Sequence, residues 1–120
     1  MVTTPSDVSL EDARKAIMMF AQVKVPILGI VENMSYLTCP HCDERIDVFS
    51  YGGGRRTAES MQVHFLGELP LDPKVRIGGD TGRPVVQGGD GAAFLELARN
   101  TVKRTEEVSR ETGPKIEISE

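Results

Sequence analysis

The run Ile27-Leu28-Gly29-Ile30-Val31 is apolar without interruption and too short for a core helix. A strand that does not alternate apolar with polar residues is covered on both faces, the condition of strands in parallel sheets. A second strand follows at Val63-His64-Phe65-Leu66-Gly67-Glu68-Leu69, closed by Pro70. A helical pattern precedes each strand. Leu10, Ala13, Ile17, Phe20 and Ala21 recur every three to four positions before the break at Lys24 to Pro26, and Arg55 to Gln62 reads as a second helix. Helix and strand in alternation imply βαβ units and an α/β fold, with a partial parallel sheet and flanking helices. Sheets average about five or six strands. With only two confident core strands, the chain reads as part of a larger domain.

The remaining segments are turns and caps. Thr3-Thr4-Pro5-Ser6-Asp7 is turn-like, with Ser6, Asp7 or Ser9 as the cap of the first helix. After Val31 comes Glu32-Asn33-Met34-Ser35, then a loop with Cys39 and Cys42, then strand-like alternation over Arg45 to Phe49. Tyr51-Gly52-Gly53-Gly54 reads as a flexible hinge. Asp72-Pro73 starts a short helical turn toward Gly78-Gly79, and Gly82 to Val86 is irregular. Asp90 is the expected cap of a final helix with Ala93, Phe94, Leu97, Ala98 and Val102 on one face. The expected organisation is one unit over residues 1–111, with the cysteine loop at 35–45, and a polar mobile tail at 112–120.

The net charge of -4 argues against non-specific binding to nucleic acid or anionic membrane. No apolar run approaches the roughly 20 residues of a membrane span. The N-terminal residues lack the apolar stretch of a secretory signal. The chain has 2 cysteines, where a secreted scaffold of this size would carry several bridges. A reducing, cytoplasmic setting is expected.

Those cysteines are spaced Cys39-Pro40-His41-Cys42. Two thiolates three positions apart can chelate one soft metal centre. Spacing alone leaves open an iron–sulfur cluster, a structural zinc site and a redox dithiol. His41 reads as an exposed loop histidine and His64 as the exposed start of its strand. Arg55, Arg56 and Arg76 read as solvated helix charges, and Arg83 as a surface or dimer-contact residue. Met18, Met19, Met34 and Met61 read as core filler.

Taken in order, these segments resemble the Mrp/ApbC family, P-loop NTPases of the MinD/ParA type that carry iron–sulfur clusters. Val25 to Ser35 is similar to the family's late strand, and Cys39-Pro40-His41-Cys42 to its cluster motif. Phe49 to Gly54 matches F-x-x-G-G-G, Phe65 to Pro73 the last strand and adenine loop, and Asp80 to Val86 the D-x-G-x-P segment. Thr3 to Asp7 resembles the opening of the preceding helix. The resemblance runs from about Val2 to Leu97.

The resemblance implies that Cys39 and Cys42 ligate a [4Fe–4S] cluster, with the other two ligands from a second protomer. A homodimer through the cysteine loops would pass the cluster to apo iron–sulfur proteins; zinc is the alternative metal. It also implies that Asn33, Pro70, Leu71 and Asp72 contact the adenine of ATP, although Asn and Asp suit turns in any case. The family's phosphate loop, G-K-G-G-x-G-K-S/T, is absent from this sequence, as is the strand bearing the Mg²⁺-side aspartate. Phosphate binding and hydrolysis require those groups. The chain therefore reads as the C-terminal half of the domain, inactive as an ATPase by itself. The other class of reading is a zinc-binding interaction domain or a remnant without carrier activity.

Overall fold

A computed structural model describes residues 1–113. The chain begins with β1 (Val2–Thr3), α1 (Asp7–Gln22) and β2 (Ile30–Glu32). A small hairpin, β3 (Leu37–Thr38) and β4 (Arg45–Ile46), leads to α2 (Gly53–Met61) and β5 (Phe65–Glu68). Then come α3 (Pro73–Thr81), a 3₁₀ turn (Val85–Gln87) and α4 (Ala92–Thr112).

The main sheet is parallel, in the order β1-β2-β5. Val2 pairs with Val31 and Thr3 with Glu32; on the other side Ile30 pairs with Phe65 and Glu32 with Glu68. All of β2 is buried, as its uninterrupted apolar run requires. Successive side chains on a strand point to opposite faces, and the core divides accordingly. Ile30 packs with Ile17 of α1 and Ala58 of α2, joined by Ile27, Met61, Val63 and Phe65. Val31 packs on the other face with Leu66 and Leu69, under Ala93, Phe94 and Leu97 of α4. The sheet is thus wound on both sides.

Several expectations change. The sheet gains β1, of which Thr3 reads as part of a turn and Val2 as no element, because two positions are too few to show a period. Gly52-Gly53-Gly54 is not a hinge. Gly52 takes a left-handed φ of 70° as the cap of α2, and Gly53 and Gly54 form that helix's first, buried turn. A Cβ on Gly53 would lie 2.7 Å from Leu10 Cδ1, and one on Gly54 would lie 2.7 Å from Glu32 Oε2. The glycines are there because the helix end touches α1 and β2 directly.

Asp90 does not cap the last helix. Gly91 holds that position, and Asp90 pairs with Lys74 at 3.3 Å. The inward face of α4 is formed by Ala93, Phe94 and Leu97 and runs on to Val108, whereas Ala98 and Val102 are exposed. Met61 packs in the core, but Met18 and Met19 are exposed on α1. His41, His64, Arg55, Arg56, Arg76 and Arg83 are all exposed. The expected tail at 112–120 lies outside the described residues, apart from Thr112, which ends α4, and Gly113. Among the described residues no helix is long and apolar enough to cross a membrane.

Candidate metal centre

In open α/β sheets, ligands gather beyond the carboxyl ends of the strands. Here β2 and β5 end side by side at Glu32 and Glu68, and the chain beyond them stays paired. Leu69 N–H donates to the Glu32 carbonyl at 2.8 Å and Ser35 N–H to the Leu69 carbonyl at 2.9 Å. Leu71 N–H donates to the Tyr36 carbonyl at 2.7 Å. These bonds carry Tyr36, the root of the hairpin, alongside the Pro70-Leu71 segment.

The hairpin then projects outward. Leu37 pairs with Ile46 and Thr38 with Arg45. Cys39 N–H adds a further rung to the Glu44 carbonyl at 2.9 Å, and Asp43 N–H closes the tip on the Cys39 carbonyl at 2.9 Å. Asp43 turns with a left-handed φ of 59°, tolerable for a short polar side chain. Cys39 is half-buried, Cys42 is exposed, and neither is in a disulfide. The backbone amides of His41 and Cys42, and then the Cys42 side chain, hold the Cys39 thiol below its ordinary pKa. Hydrogen bonds to a thiolate favour the form that binds metal.

The donor set therefore fits a soft metal centre: two thiols at chelating spacing on an accessible tip. Among the described residues no group of three or more His, Cys, Asp or Glu is placed to hold a metal ion. One chain offers two thiols.

Cys39 shares a cleft of about 630 Å³ with Tyr36, Pro40, Pro70, Leu71 and Asp72. Asp72 caps α3, its Oδ1 accepting from Lys74 N–H at 2.9 Å, with Pro73 in the first turn. Asn33 lies beyond β2, half-buried, and is not among the residues lining that cleft. Its N–H donates to the Thr3 carbonyl at 2.7 Å, and its Oδ1 accepts from Met34 N–H at 2.9 Å. One lone pair of the side-chain carbonyl is thereby engaged, leaving the second and the NH₂ group.

Sequence reasoning missed the polar cluster beneath the hairpin. Glu32 is 1% exposed. Its Oε1 accepts from Ser35 Oγ at 2.6 Å and its Oε2 from Gly54 N–H at 2.6 Å. A carboxylate at a helix N-terminus is well placed for the helix dipole, and the two bonds offset the cost of burying it. Ser35 Oγ also lies 3.0 Å from Glu68 Oε2. Glu68 Oε1 receives Arg45 Nη1 at 3.3 Å, and Arg45 Nε donates to Asp47 at 2.9 Å. Asp47 first, with Glu68, raises the Arg45 pKa above its ordinary value. The available signal was a glutamate at the end of each of two neighbouring strands.

Residues 1–105 match the family model of the NUBPL iron-transfer P-loop NTPases. The chain belongs to this family. It is 45% identical over 111 residues to the iron-sulfur cluster carrier protein of Pyrococcus furiosus, a match covering 90% of this chain and 38% of the relative. It is 43% identical over 122 residues to an Arabidopsis thaliana protein named as an iron-sulfur protein required for NADH dehydrogenase, mitochondrial, covering 98% of this chain and 39% of that one. The chain thus spans about two-fifths of the length of the relatives it matches. Among solved structures, the nucleotide-binding protein of Archaeoglobus fulgidus in complex with ADP is 39% identical, with a TM-score of 0.58, over 67% of this chain and 33% of that chain. The Pyrococcus furiosus cell division ATPase MinD is 27% identical, with a TM-score of 0.60, over 84% and 40% respectively. The α/β fold expected from the two strands is therefore that of P-loop NTPases.

Proposed function

We propose that this chain binds an iron–sulfur cluster through Cys39 and Cys42 and delivers it to apo-proteins. The observation that carries the reading is the placement of the chain's 2 cysteines together at the exposed tip of a hairpin. Relatives named as iron-sulfur cluster carriers support it. A [4Fe–4S] cluster takes four protein ligands, so two chains meeting at their tips would complete it as a homodimer. Exposure suits a carrier: an acceptor's thiolates can reach the metal and replace those of Cys39 and Cys42. Two free thiols suit a reducing compartment such as the cytoplasm.

The adenine side of a nucleotide site is the second part of the proposal. Asn33, with its free NH₂ group, and Pro70, Leu71 and Asp72 would border the base beyond the ends of β2 and β5. The Archaeoglobus relative bound to ADP supports this reading. The phosphate-binding loop is absent from this sequence. ATP would bind fully only where that loop is supplied.

Anaerobic reconstitution with iron and sulfide tests the metal reading. The wild-type chain is expected to retain iron and sulfide and turn brown, while Cys39→Ser retains neither. Equal iron retention by the two forms overturns the assignment. A chain that stays colourless with iron and sulfide, yet retains zinc through both cysteines when zinc is added instead, would establish the zinc alternative.

A further inference from the structure

From Pro40 to Tyr51 every residue is exposed. The strands β3 and β4 have two residues each and pack chiefly on one another. A lone two-stranded hairpin is marginal in water. Something outside its own ladder must fix the tip if Cys39 and Cys42 are to keep a defined separation.

The side chain in position to do so is Arg45. It stands opposite Thr38, one rung from the Cys39–Glu44 bond. Its guanidinium carbon lies 4.2 Å from the ring centre of Tyr36, where the chain enters the hairpin. It lies 5.1 Å from the ring centre of Tyr51, where the chain leaves toward α2. Its Nη1 reaches Glu68 at the end of β5, and through Ser35 that carboxylate joins the buried Glu32 and the first turn of α2. One side chain thus touches both ends of the excursion and the sheet below it.

We infer that Arg45 is the positioning residue of the cysteine pair: its guanidinium, lodged between Tyr36 and Tyr51 and anchored on Glu68, holds the hairpin in the geometry that lets both sulfurs grip one centre. The inference gives the residues of the proposed cluster site their support and rests on that reading for its purpose. Arginine is specific to the task. A planar guanidinium can face two rings and donate to two carboxylates at once, which a lysine ammonium does not reproduce. Without it, Asp47 and Glu68 lose their shared cation and the hairpin keeps only its few ladder bonds.

The full chain is compared with Arg45→Met, Arg45→Lys and Glu68→Gln, in two measurements that need no cluster. The first is amide hydrogen exchange over residues 37–46, with Val31 and Leu66 as internal controls. The second uses phenylarsine oxide, whose arsenic forms two As–S bonds with the two thiols while its oxygen leaves as water and nothing is oxidised or reduced. Retention of the arsenical against a competing small dithiol reads how well the sulfurs are pre-arranged. In Arg45→Met, hairpin exchange is expected to rise about tenfold and retention to fall about tenfold, with the controls unchanged. Arg45→Lys and Glu68→Gln are expected to fall between it and the wild type, and they decide the matter if Arg45→Met does not fold. Unchanged hairpin exchange in the variants overturns the inference. So does raised exchange with unchanged retention, since Arg45 would then brace the hairpin without setting the sulfurs. A wild-type chain that holds the arsenical but no reconstituted cluster overturns the cluster reading instead, and the two measurements still decide the role of Arg45.

Discussion

Leu71 donates its backbone N–H to the carbonyl of Tyr36 at 2.7 Å, joining the segment after β5 to the root of the cysteine hairpin. Both residues also border the cleft that holds Cys39. The bond continues the pairing of β2 with β5 past their ends, so it fixes where the hairpin leaves the sheet. Leu71→Pro removes the donor and leaves the Tyr36 carbonyl to find another. The expected loss is about 1–3 kcal/mol, read from urea unfolding, with increased exchange of the Cys39 amide. An unfolding midpoint equal to that of the wild type would show that this junction contributes nothing to the fold.

Two glycines make a matched pair. A methyl group at Gly54 would lie 2.7 Å from Glu32 Oε2 and 3.1 Å from Glu32 Cβ, inside a buried and hydrogen-bonded contact. Gly54→Ala should destabilise the chain by about 1–3 kcal/mol, because α2 must move off β2. A methyl group at Gly79, within α3, would meet nothing within 4 Å. There the helix preference for alanine acts alone, and Gly79→Ala should stabilise by up to about 1 kcal/mol. Urea midpoints measure both; a shift of the same sign in the two variants would refute the packing account.

The helices and the two long strands were legible because burial imposes a period or an uninterrupted apolar run. Ile30 and Val31, on opposite faces of β2, and Leu10, Ala13 and Ile17 on one face of α1 follow that rule directly. β1 was not legible. Two residues show no pattern, and Thr3 is buried only because α1 and β2 cover it. Gly53 and Gly54 misled for a related reason: glycine permits a hinge and also permits close packing, and only the neighbours Leu10 and Glu32 decide which. The cysteine pair was visible as a motif. Its support was not, since Arg45, Glu68 and Ser35 come from segments up to 33 residues apart and meet only in the fold.

The phosphate loop is missing from this sequence, and nothing among the glycine runs replaces it. Gly52-Gly53-Gly54 is committed to the first turn of α2, where Gly54 N–H is already bonded to Glu32. The Gly54 amide is therefore not available to a phosphate, and the segment lacks the lysine of a phosphate loop. The pure chain is therefore expected to show no ATP turnover above background in a steady-state phosphate-release assay. Activity that persists through further purification, and responds to Asn33→Ala, would mean that the chain carries a complete site.

Self-association on cluster loading is the outcome expected from counting ligands. The chain has 2 cysteines, and among its described residues no third His, Cys, Asp or Glu joins them in a metal-binding group. A four-ligand cluster held by this chain must draw the other two from elsewhere, and a second copy brings an identical pair on an equally exposed tip. A two-fold axis through the cluster would place both pairs equivalently. Ile46, Val48 and Phe49 are 43%, 46% and 44% exposed just beyond the tip, so apolar surface is available to flank the contact. Because the cluster would bind the pair and not the single chain, loading favours the dimer by mass action. Sedimentation should therefore find apo protein as monomer and reconstituted protein as dimer, with chelation reversing the change and Cys42→Ser remaining monomeric throughout. A monomer carrying a full cluster would exclude the bridged arrangement, and the missing ligands would then have to be His41, a carboxylate or an exogenous thiol.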